Sequence, residues 1–190
     1  MLAKGLDWYN PDTYAREAMA QLGCTLEEAN SLAWKHGKDS LENAIKQGSN
    51  YVFETTLGAN TIPKLLREAA KTHHVQMWFC GLESAELHIQ RVANRVASGG
   101  HNIPEEKIRE RWEKSRANLV GLIPYLTKLQ VFDNSPNASP GQRAPVPKLL
   151  LDLEQKVVKF PDKADPTALA ALPEWAKPLI QAAFDLAGIP

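Results

Sequence analysis

The segment spanning residues 91–119 carries five arginines and two lysines on either side of a Gly-Gly-His turn. At helical spacing, Arg91 and Arg95 share one face before the turn, and Arg109 and Arg116 share another face after it. The two glycines allow these faces to converge and to move as a lid. Planar, permanently charged guanidinium groups suit a transferring phosphoryl group, because its negative charge spreads over several oxygens. The segment therefore predicts a site for phosphoryl chemistry.

A solvated helix face is the alternative explanation of this segment. Its arginines alternate with Glu105, Glu106, Glu110 and Glu113, which are spaced to form ion pairs within the helix. His101, in the turn, either donates a hydrogen bond to phosphate or completes the turn itself. The interleaved acids also argue against a basic stripe that follows a nucleic-acid backbone, so we predict no nucleic-acid partner.

Polar residues that follow short apolar runs form a second set of candidates. In an open parallel sheet, ligands bind beyond the carboxyl ends of the strands. The residues in question are Asn10 and Asp12 after "WY", Glu54 and Thr55 after "YVF", and Asp133 and Asn134 after "LQVF". Asp12 equally suits the N-cap of the following helix, and Glu54 equally suits a salt bridge to a neighbouring helix.

The elements that must position these residues alternate between helix and strand. Hydrophobic periodicity and capping residues predict helices at about 13–23, 26–47, 60–72 and 172–188, strands at 50–57, 75–82 and 128–135, and a hairpin at 147–163. Pro173 is expected in the first turn of the last helix. Strand, helix, strand, helix implies parallel strands joined by right-handed crossovers, so we predict an α/β protein.

Composition narrows the classes of function. With 190 residues, 44% hydrophobic and 23% charged, the chain has the length for one sizeable core. Its 22 basic and 22 acidic residues cancel, so no overall field attracts nucleic acid or an anionic membrane. No apolar run approaches the ~20 residues of a membrane span. We predict a soluble, cytoplasmic protein with no membrane partner.

The cysteines and histidines give no indication of a metal site. Cys24 and Cys80 lie far apart within apolar segments, which predicts buried, reduced thiols. His73 and His74 have no acidic or cysteine partners at the spacing of metal ligands. We therefore predict no metal centre formed by these side chains.

Four segments, taken in order, resemble the zeta-toxin-like branch of the P-loop kinases. They are "YNPDTYARE", "GSNYVFETTL", "LHIQRVANRVASGGHNIPEEKIRERWEKSRANL" and "VFDNS", and together they span about residues 8–135. The resemblance implies an α/β fold with a P-loop-kinase-like parallel sheet flanked by helices. It also implies a core at 1–163 that includes the lid at about 91–119, and a C-terminal helical tail at 164–190.

The resemblance further implies an activity, its cofactors and its partners. These enzymes transfer phosphate from ATP, with Mg²⁺, to a hydroxyl of a small molecule, which in the zeta toxins is a UDP-activated amino sugar. An antitoxin is the implied protein partner. Nine residues match family positions that act in binding or catalysis. On the acceptor side they are Asp12 as general base, Asn10 as its helper, and Glu54 and Thr55 beside the acceptor or the metal shell. On the phosphate side they are Arg91, Arg95, Arg109 and Arg111 as clamps, and Asn134 near the nucleotide's base. His101 stays a candidate substrate-binding residue from its place in the turn alone.

One family motif is absent. The phosphate-binding loop, G-x-x-x-x-G-K-[ST], does not occur in the sequence. The nearest string, "WKHGKDSL", has Asp39 in place of the hydroxyl residue and lies within a helical pattern. The resemblance therefore implies that truncation has removed the central strand and its loop, which would expose two strand edges. The alternative is a non-catalytic remnant that binds a phosphorylated ligand or an antitoxin-like protein through the arginine lid.

Overall fold

The structure, a computed structural model, describes residues 8–137 and 145–188. Within these ranges the chain forms a mixed α/β fold that contains parallel strand pairs, as the sequence predicts. It divides into two compact units. The first comprises residues 8–56 and 61–73, and the second comprises residues 57–60, 74–137 and 145–188. The predicted division between a core and a tail at 163/164 stays a prediction.

In the part of the chain described, the first unit contains three helices and a two-stranded sheet. In chain order its elements are β1 (Trp8–Tyr9), α1 (Pro11–Leu22), α2 (Leu26–Gln47), β2 (Val52–Phe53) and α3 (Thr61–Ala69). β1 pairs in parallel with β2, with Trp8 opposite Val52. The predicted helices at 13–23 and 26–47 are confirmed. The predicted strand at 50–57 is wrong in length, because a partner strand of two residues supports only two ladder positions.

Local capping sets the ends of α1 and α2. Thr25 Oγ1 accepts the Glu28 N–H at 3.3 Å, and the Glu28 carboxylate accepts the Thr25 N–H at 2.8 Å, which together form a capping box. Gly23 and Gly48 end the two helices with φ of 63° and 66°, a left-handed backbone that glycine adopts without a steric penalty. The helices then pack through buried alanines, whose small side chains allow a close approach.

The second unit contains a mixed sheet, four-stranded within the described residues. Its elements are β3 (Gln76–Gly81), α4 (Ala85–Ala97), α5 (Glu105–Leu122), a 3₁₀ turn (Ile123–Tyr125), β4 (Lys128–Asp133), β5 (Lys148–Glu154), β6 (Val157–Phe160), α6 (Pro166–Ala170) and α7 (Lys177–Leu186). The strand order is β3-β4-β5-β6, with β3 parallel to β4 and the other pairs antiparallel. The predicted strands at 75–82 and 128–135 and the predicted hairpin are confirmed.

The most buried side chains of the second unit come from α5, the sheet and α7. They include Ile108, Leu119, Leu122, Leu129, Val131, Leu150, Leu151, Leu153 and Leu179. Full burial of such a side chain is worth about 1.5–3 kcal/mol. Gly81, at the end of β3, leaves room for the Trp175 ring, since a Cβ there would lie 2.2 Å from it. A long-range contact therefore fixes the end of β3, from which the loop toward α4 begins.

Two sequence predictions about this unit need correction. The last helix begins at Lys177 rather than at 172, because residues 173–176 form a turn in which the Ala176 N–H donates to the Pro173 carbonyl at 3.0 Å. Helix α6, which precedes that turn, does not follow from the sequence pattern. Cys80 lies on the exposed face of β3, an edge strand in the described part of the sheet.

The prediction of buried thiols is therefore wrong for Cys80, and Cys24 is only half-buried, although both cysteines are free.

Among the residues that the structure describes, none of the helices combines the length and the hydrophobicity that a bilayer crossing requires.

Candidate functional site

In the first unit, the carboxyl ends of β1 and β2 bring Asn10 and Glu54 together. The Glu54 N–H donates to the Tyr9 carbonyl at 3.0 Å, which extends the parallel pairing by one residue. Asn10 uses both ends of its side chain. Nδ2 donates to Glu54 Oε2 at 2.6 Å, and Oδ1 accepts the Thr13 N–H at 2.9 Å. Asn10 is therefore both the N-cap of α1 and the residue that holds the Glu54 carboxylate.

Asp12 lies in the first turn of α1 with its side chain exposed. Because Asn10 is the N-cap, the interpretation of Asp12 as the capping residue is wrong. A carboxylate in this turn interacts favourably with the helix dipole. Glu54 and the following Thr55 are exposed as well, and Glu54 accepts from Asn10 instead of forming the alternative salt bridge to a helix. The exposed carboxylates of Asp12 and Glu54, which follow the carboxyl ends of β1 and β2, are thus open to a ligand.

Tyr9 anchors β1 to α2. Its hydroxyl donates to the Ala33 carbonyl at 2.5 Å, and its ring lies against Gly37, where a Cβ would be 2.7 Å from the ring. Burial, with the neighbouring Tyr51 and Tyr14, raises the pKa of Tyr9 to about 12, so this hydroxyl stays a donor at physiological pH. Gly37 belongs to "WKHGKDSL", so that string lies in α2 and serves helix packing.

In the second unit, Arg91 of α4 fastens the loop that follows β4. Its guanidinium donates to the carbonyl oxygens of Asn134 at 2.7 Å, Ser135 at 3.0 Å and Pro136 at 3.2 Å, and to Asn137 Oδ1 at 2.9 Å. The planar fork of a guanidinium suits several acceptors at once. Arg91 is therefore occupied by protein groups, and a phosphate contact would require it to release this loop.

Ser135 joins the same loop to the turn after β3. It is buried, and its Oγ accepts the Glu83 N–H at 2.8 Å and hydrogen-bonds to the Asp133 carboxylate. The Asn134 N–H donates to the Gly81 carbonyl at 2.9 Å. Asn134, which is predicted to lie near the nucleotide's base, thus belongs to a loop whose main chain is hydrogen-bonded both to Arg91 and to the end of β3.

Arg109 of α5 is also engaged by the protein. Its Nη1 forms an ion pair with Glu86 Oε1 and so joins α5 to α4. This hydrogen bond and the opposite charges raise the pKa of Arg109 and lower the pKa of the Glu86 carboxyl. Both side chains are exposed, so solvent and salt screen the pair. Arg109 acts in this structure as a link between α4 and α5.

Glu110 of α5 follows the alternative interpretation, a solvated helix face with ion pairs within the helix. Glu110 pairs with Lys114 at 2.6 Å and with Lys107 at 3.1 Å, and these hydrogen bonds lower its pKa to about 2. Arg116 stacks on Trp112, with its Cζ 3.4 Å from the ring centroid. Intrahelical pairing is therefore confirmed for Glu110, with lysines rather than arginines as its partners.

Arg95 and Arg111 are the two predicted clamps that, within the described ranges, neither form an ion pair nor bind the loop after β4. Arg95 Nη2 donates weakly to the His101 carbonyl at 3.4 Å, and its Cγ lies against Gly100, where a Cβ would be 2.6 Å away. Arg111 lies against Gly58, whose added Cβ would be 2.8 Å from Arg111 Cγ. Both arginine side chains are exposed, as is His101. Their charges are therefore open to an anion.

His88, on α4, is a neighbour of these arginines that the motif comparison does not identify. Burial and the charges of Arg95, Arg111 and Arg91 lower the pKa of His88, so its ring is neutral near pH 7. Positions 88, 91 and 95 share one face of α4, and Arg111 belongs to α5, which packs against α4. The i, i+3, i+7 spacing is the sequence signal that points to His88.

The predicted site residues thus fall into two groups. Those of the first unit are Asn10, Asp12, Glu54 and Thr55, and the structure joins Asn10 directly to Glu54. Those of the second unit are Arg91, Arg95, His101, Arg109, Arg111 and Asn134, and the structure joins Arg91 to Asn134 and Arg95 to His101. Over residues 8–137 and 145–188, no three His, Cys, Asp or Glu side chains come together to hold a metal ion.

Comparison with known proteins adds one relative. No known family profile matches the sequence, and no solved structure matches it. The chain is similar to a Haemophilus influenzae protein described as an uncharacterized protein, with 33% identity over 70 residues. The match covers 36% of this chain and 50% of the relative, so the chain spans about half the length of the curated relative.

Proposed function

We propose that the chain is the acceptor-binding and lid part of a zeta-toxin-like, ATP-dependent kinase with a P-loop-kinase-like fold. The reaction is transfer of the terminal phosphoryl group of ATP to a hydroxyl of a small molecule, with a nucleotide sugar as the leading class. The observation that carries the proposal is the placement of Asn10, Asp12 and Glu54 at the carboxyl ends of two parallel strands, where α/β sheets bind ligands.

The two exposed carboxylates suit a hydroxyl acceptor. Asp12 takes the proton from the attacking hydroxyl, so that the oxygen can bond to phosphorus as the bond to the leaving ADP breaks. Glu54 accepts a hydrogen bond from the acceptor and is held in place by the Asn10 amide. Positioned proton transfer of this kind contributes roughly 10²–10⁴-fold to a rate.

The candidate site residues are better suited to bind the phosphates of ATP than to bind Mg²⁺. Arg95 and Arg111 offer planar donors outside any ion pair of the described residues, and such donors match phosphate oxygens. Mg²⁺ neutralises phosphate charge in enzymes of this class, but no cluster of three ligating side chains is present in the described chain. We therefore assign roles only to the chain's own residues.

The four arginines predicted as clamps differ in the contacts that they already form within the protein. Arg95 and Arg111 contact the phosphoryl group and neutralise charge as it develops. Arg91 shapes the loop around Asn134, and Arg109 holds α5 against α4 through Glu86. The division explains why a single segment carries more arginines than one phosphoryl group requires.

The open strand edges support a further strand in the complete enzyme. Within the described residues, β2 has only β1 as a neighbour and β3 has only β4. β3 carries no charged residue and its Trp78 is 50% exposed, so it lacks the charges that protect a solvent-facing edge. No phosphate loop occurs within the 190 residues, so we assign that loop and its strand to a segment outside them.

Phosphoryl transfer by a chain extended to the next upstream start codon tests the proposal. We expect transfer from Mg-ATP to a member of a panel of hydroxyl acceptors that includes nucleotide sugars. Asp12→Asn should slow transfer by about 10²–10⁴-fold. The matched control Asp39→Asn, which removes an α2 carboxylate 3.0 Å from Lys38 Nζ, should leave the rate unchanged. Equal rates for Asp12→Asn and wild type would contradict the proposal.

A non-catalytic remnant is the second candidate. The absence of a phosphate loop, together with Arg95 and Arg111 outside ion pairs of the described chain, favours binding without turnover. The ligand would be a phosphorylated molecule or an antitoxin-like protein that contacts the lid. Failure of the extended chain to bind Mg-ATP would favour this candidate over the kinase.

A further inference from the structure

We infer that the outward face of the sheet in the second unit is a binding site for a neutral, linear oligosaccharide. The site is a row of four side chains that crosses the four described strands of this sheet, and we call it the cross-strand row. Its members, from β3 to β6, are Trp78, Gln130, Asp152 and Phe160. None of them is among the predicted site residues, so the inference goes beyond the proposed kinase and does not depend on it.

The strand register brings the four side chains of the row together on one face. Trp78 lies opposite Gln130, and Gln130 lies opposite Asp152. Asp152 in turn lies opposite Phe160. Residues paired in this way project from the same face of a sheet. Neighbouring strands lie about 4.8 Å apart, so three spacings make the row roughly 14 Å long. This length exceeds one pyranose ring and suits a short chain of such rings.

The aromatic residues at the two ends of the row are open to solvent. Phe79, which alternates with Trp78 along β3, lies on the other face, where its ring centroid is 6.4 Å from that of Trp175. Trp78 itself is 50% exposed, and Phe160 is 37% exposed. The face of the sheet that carries the row is therefore accessible at both ends to a ligand that packs on aromatic rings.

Trp78 is held in place as a stacking platform. Its Nε1 donates to Gln130 Oε1 at 2.8 Å, so the indole is attached to the neighbouring strand while half of its surface stays exposed. The C–H groups on one side of a pyranose ring pack on such a ring, because both surfaces are apolar. A ring that is already positioned loses little conformational freedom when a ligand binds. Trp78 and Phe160 thus offer two stacking positions.

Between the two rings, Asp152 carries an acceptor that the protein leaves unsatisfied. Within the described residues, its Oδ1 is shielded from solvent and has no hydrogen-bond partner. Such an oxygen costs free energy that a hydroxyl donor would recover. The terminal torsion of an Asp side chain is soft, so a small rotation presents this oxygen to a ligand. Gln130 uses its oxygen for Trp78, which leaves its amide nitrogen to donate to ligand hydroxyls.

The charges beside the row favour a saccharide over a single-stranded nucleic acid, the other ligand that stacks on exposed aromatic rings. Lys128 Nζ lies 3.7 Å from Glu154 Oε2, and Lys159 pairs with the same carboxylate. Together with Asp152, these are two basic and two acidic side chains, so their charges cancel. A phosphate backbone requires a positively charged groove, whereas the hydroxyl groups of a neutral sugar do not.

Titration of neutral hexasaccharides into the 190-residue chain tests the inference. The probes are cellohexaose, xylohexaose, maltohexaose and chitohexaose, which differ in sugar and linkage. The readout is the NMR signal of the Trp78 indole N–H, assigned by its loss in Trp78→Phe. We expect at least one probe to shift this signal with saturation and to leave unmoved the signal of Trp34, which is 51% exposed on α2. A Trp78 signal unmoved by all four probes would overturn the inference.

Matched variants, compared by calorimetric titration with the probe that binds, identify the residues responsible. Trp78→Ala should weaken binding about tenfold, because the stacking surface is lost. Asp152→Asn keeps the shape of the side chain but removes the charged acceptor, and it should weaken binding about fivefold. Trp34→Ala should bind as wild type does, and Trp78→Phe, which keeps an aromatic ring in β3, should retain binding. Wild-type affinity in both Trp78→Ala and Asp152→Asn would contradict the assignment of the row.

A single-stranded oligouridylate, titrated at the same ionic strength, tests the choice of ligand. We expect it to leave the Trp78 signal in place. A shift of that signal at lower concentrations than any hexasaccharide requires would overturn the saccharide assignment. These results concern the cross-strand row alone, because none of its four residues has a role in the proposed phosphoryl transfer.

Discussion

Asn10 is central to the proposed binding of an acceptor, because one amide group serves two elements. Its oxygen caps α1, and its nitrogen holds Glu54, 44 residues further along the chain. Both residues are predictable from the sequence, since each follows a short apolar run. The bond between them is not, because the register of β1 against β2 depends on pairing between distant segments.

Substitution of Asn10 separates its two roles. Asn10→Ala removes the cap and should lower the free energy of unfolding by about 1 kcal/mol. Asn10→Asp keeps a good cap but places a carboxylate against Glu54, so stability should change less. In the extended chain, both variants should lower kcat/KM for the acceptor, measured in a transfer assay with saturating Mg-ATP.

The control for this test is Thr25→Ala, which removes the cap of α2 and so costs stability without touching Glu54. It should leave kcat/KM for the acceptor unchanged. Wild-type kcat/KM in Asn10→Asp would show that the Asn10–Glu54 bond has no part in acceptor binding.

At the scale of elements, boundaries set by local chemistry are the ones the sequence predicts. α2 begins at its capping box and ends at Gly48, and both signals lie within a few residues of the helix ends. The start of α7 depends instead on the turn at residues 173–176 and on Trp175, whose ring packs against Gly81. Such long-range packing leaves no local signature, which is why Pro173 suggests an earlier start than the helix has.

Arg91 links two elements of the second unit, and its substitution tests that link. Arg91→Lys keeps the charge but replaces a planar fork with a point donor, so most bonds to residues 134–137 should be lost. We expect faster amide hydrogen exchange in this loop and a loss of about 1–2 kcal/mol in unfolding free energy. Arg95→Lys, one turn further along α4, should leave loop exchange unchanged. Unaltered exchange in Arg91→Lys would show that the loop is held by other contacts.

At the scale of the whole molecule, composition and the order of elements predict the α/β class but not the division into two units. The segment 57–60 belongs to the second unit, although it follows β2 of the first. Asn118 of α5 explains this assignment, because its Nδ2 donates to the Leu57 carbonyl at 2.8 Å and to the Ala59 carbonyl at 3.2 Å. The boundary between the two units therefore depends on a contact with a residue about sixty positions away in sequence. The sequence pattern of residues 57–60 alone does not predict it.

Titration of Mg-ATP into the 190-residue chain, beside the chain extended to the next upstream start codon, is the decisive test of the kinase proposal. We expect micromolar binding by the extended chain only, because the amides and lysine of a phosphate loop supply most of the contacts to ATP. Asp12→Asn in the extended chain should bind ATP as wild type does, since Asp12 acts on the acceptor. Micromolar binding by the 190-residue chain, or no binding by the extended chain, would rule out the proposed kinase.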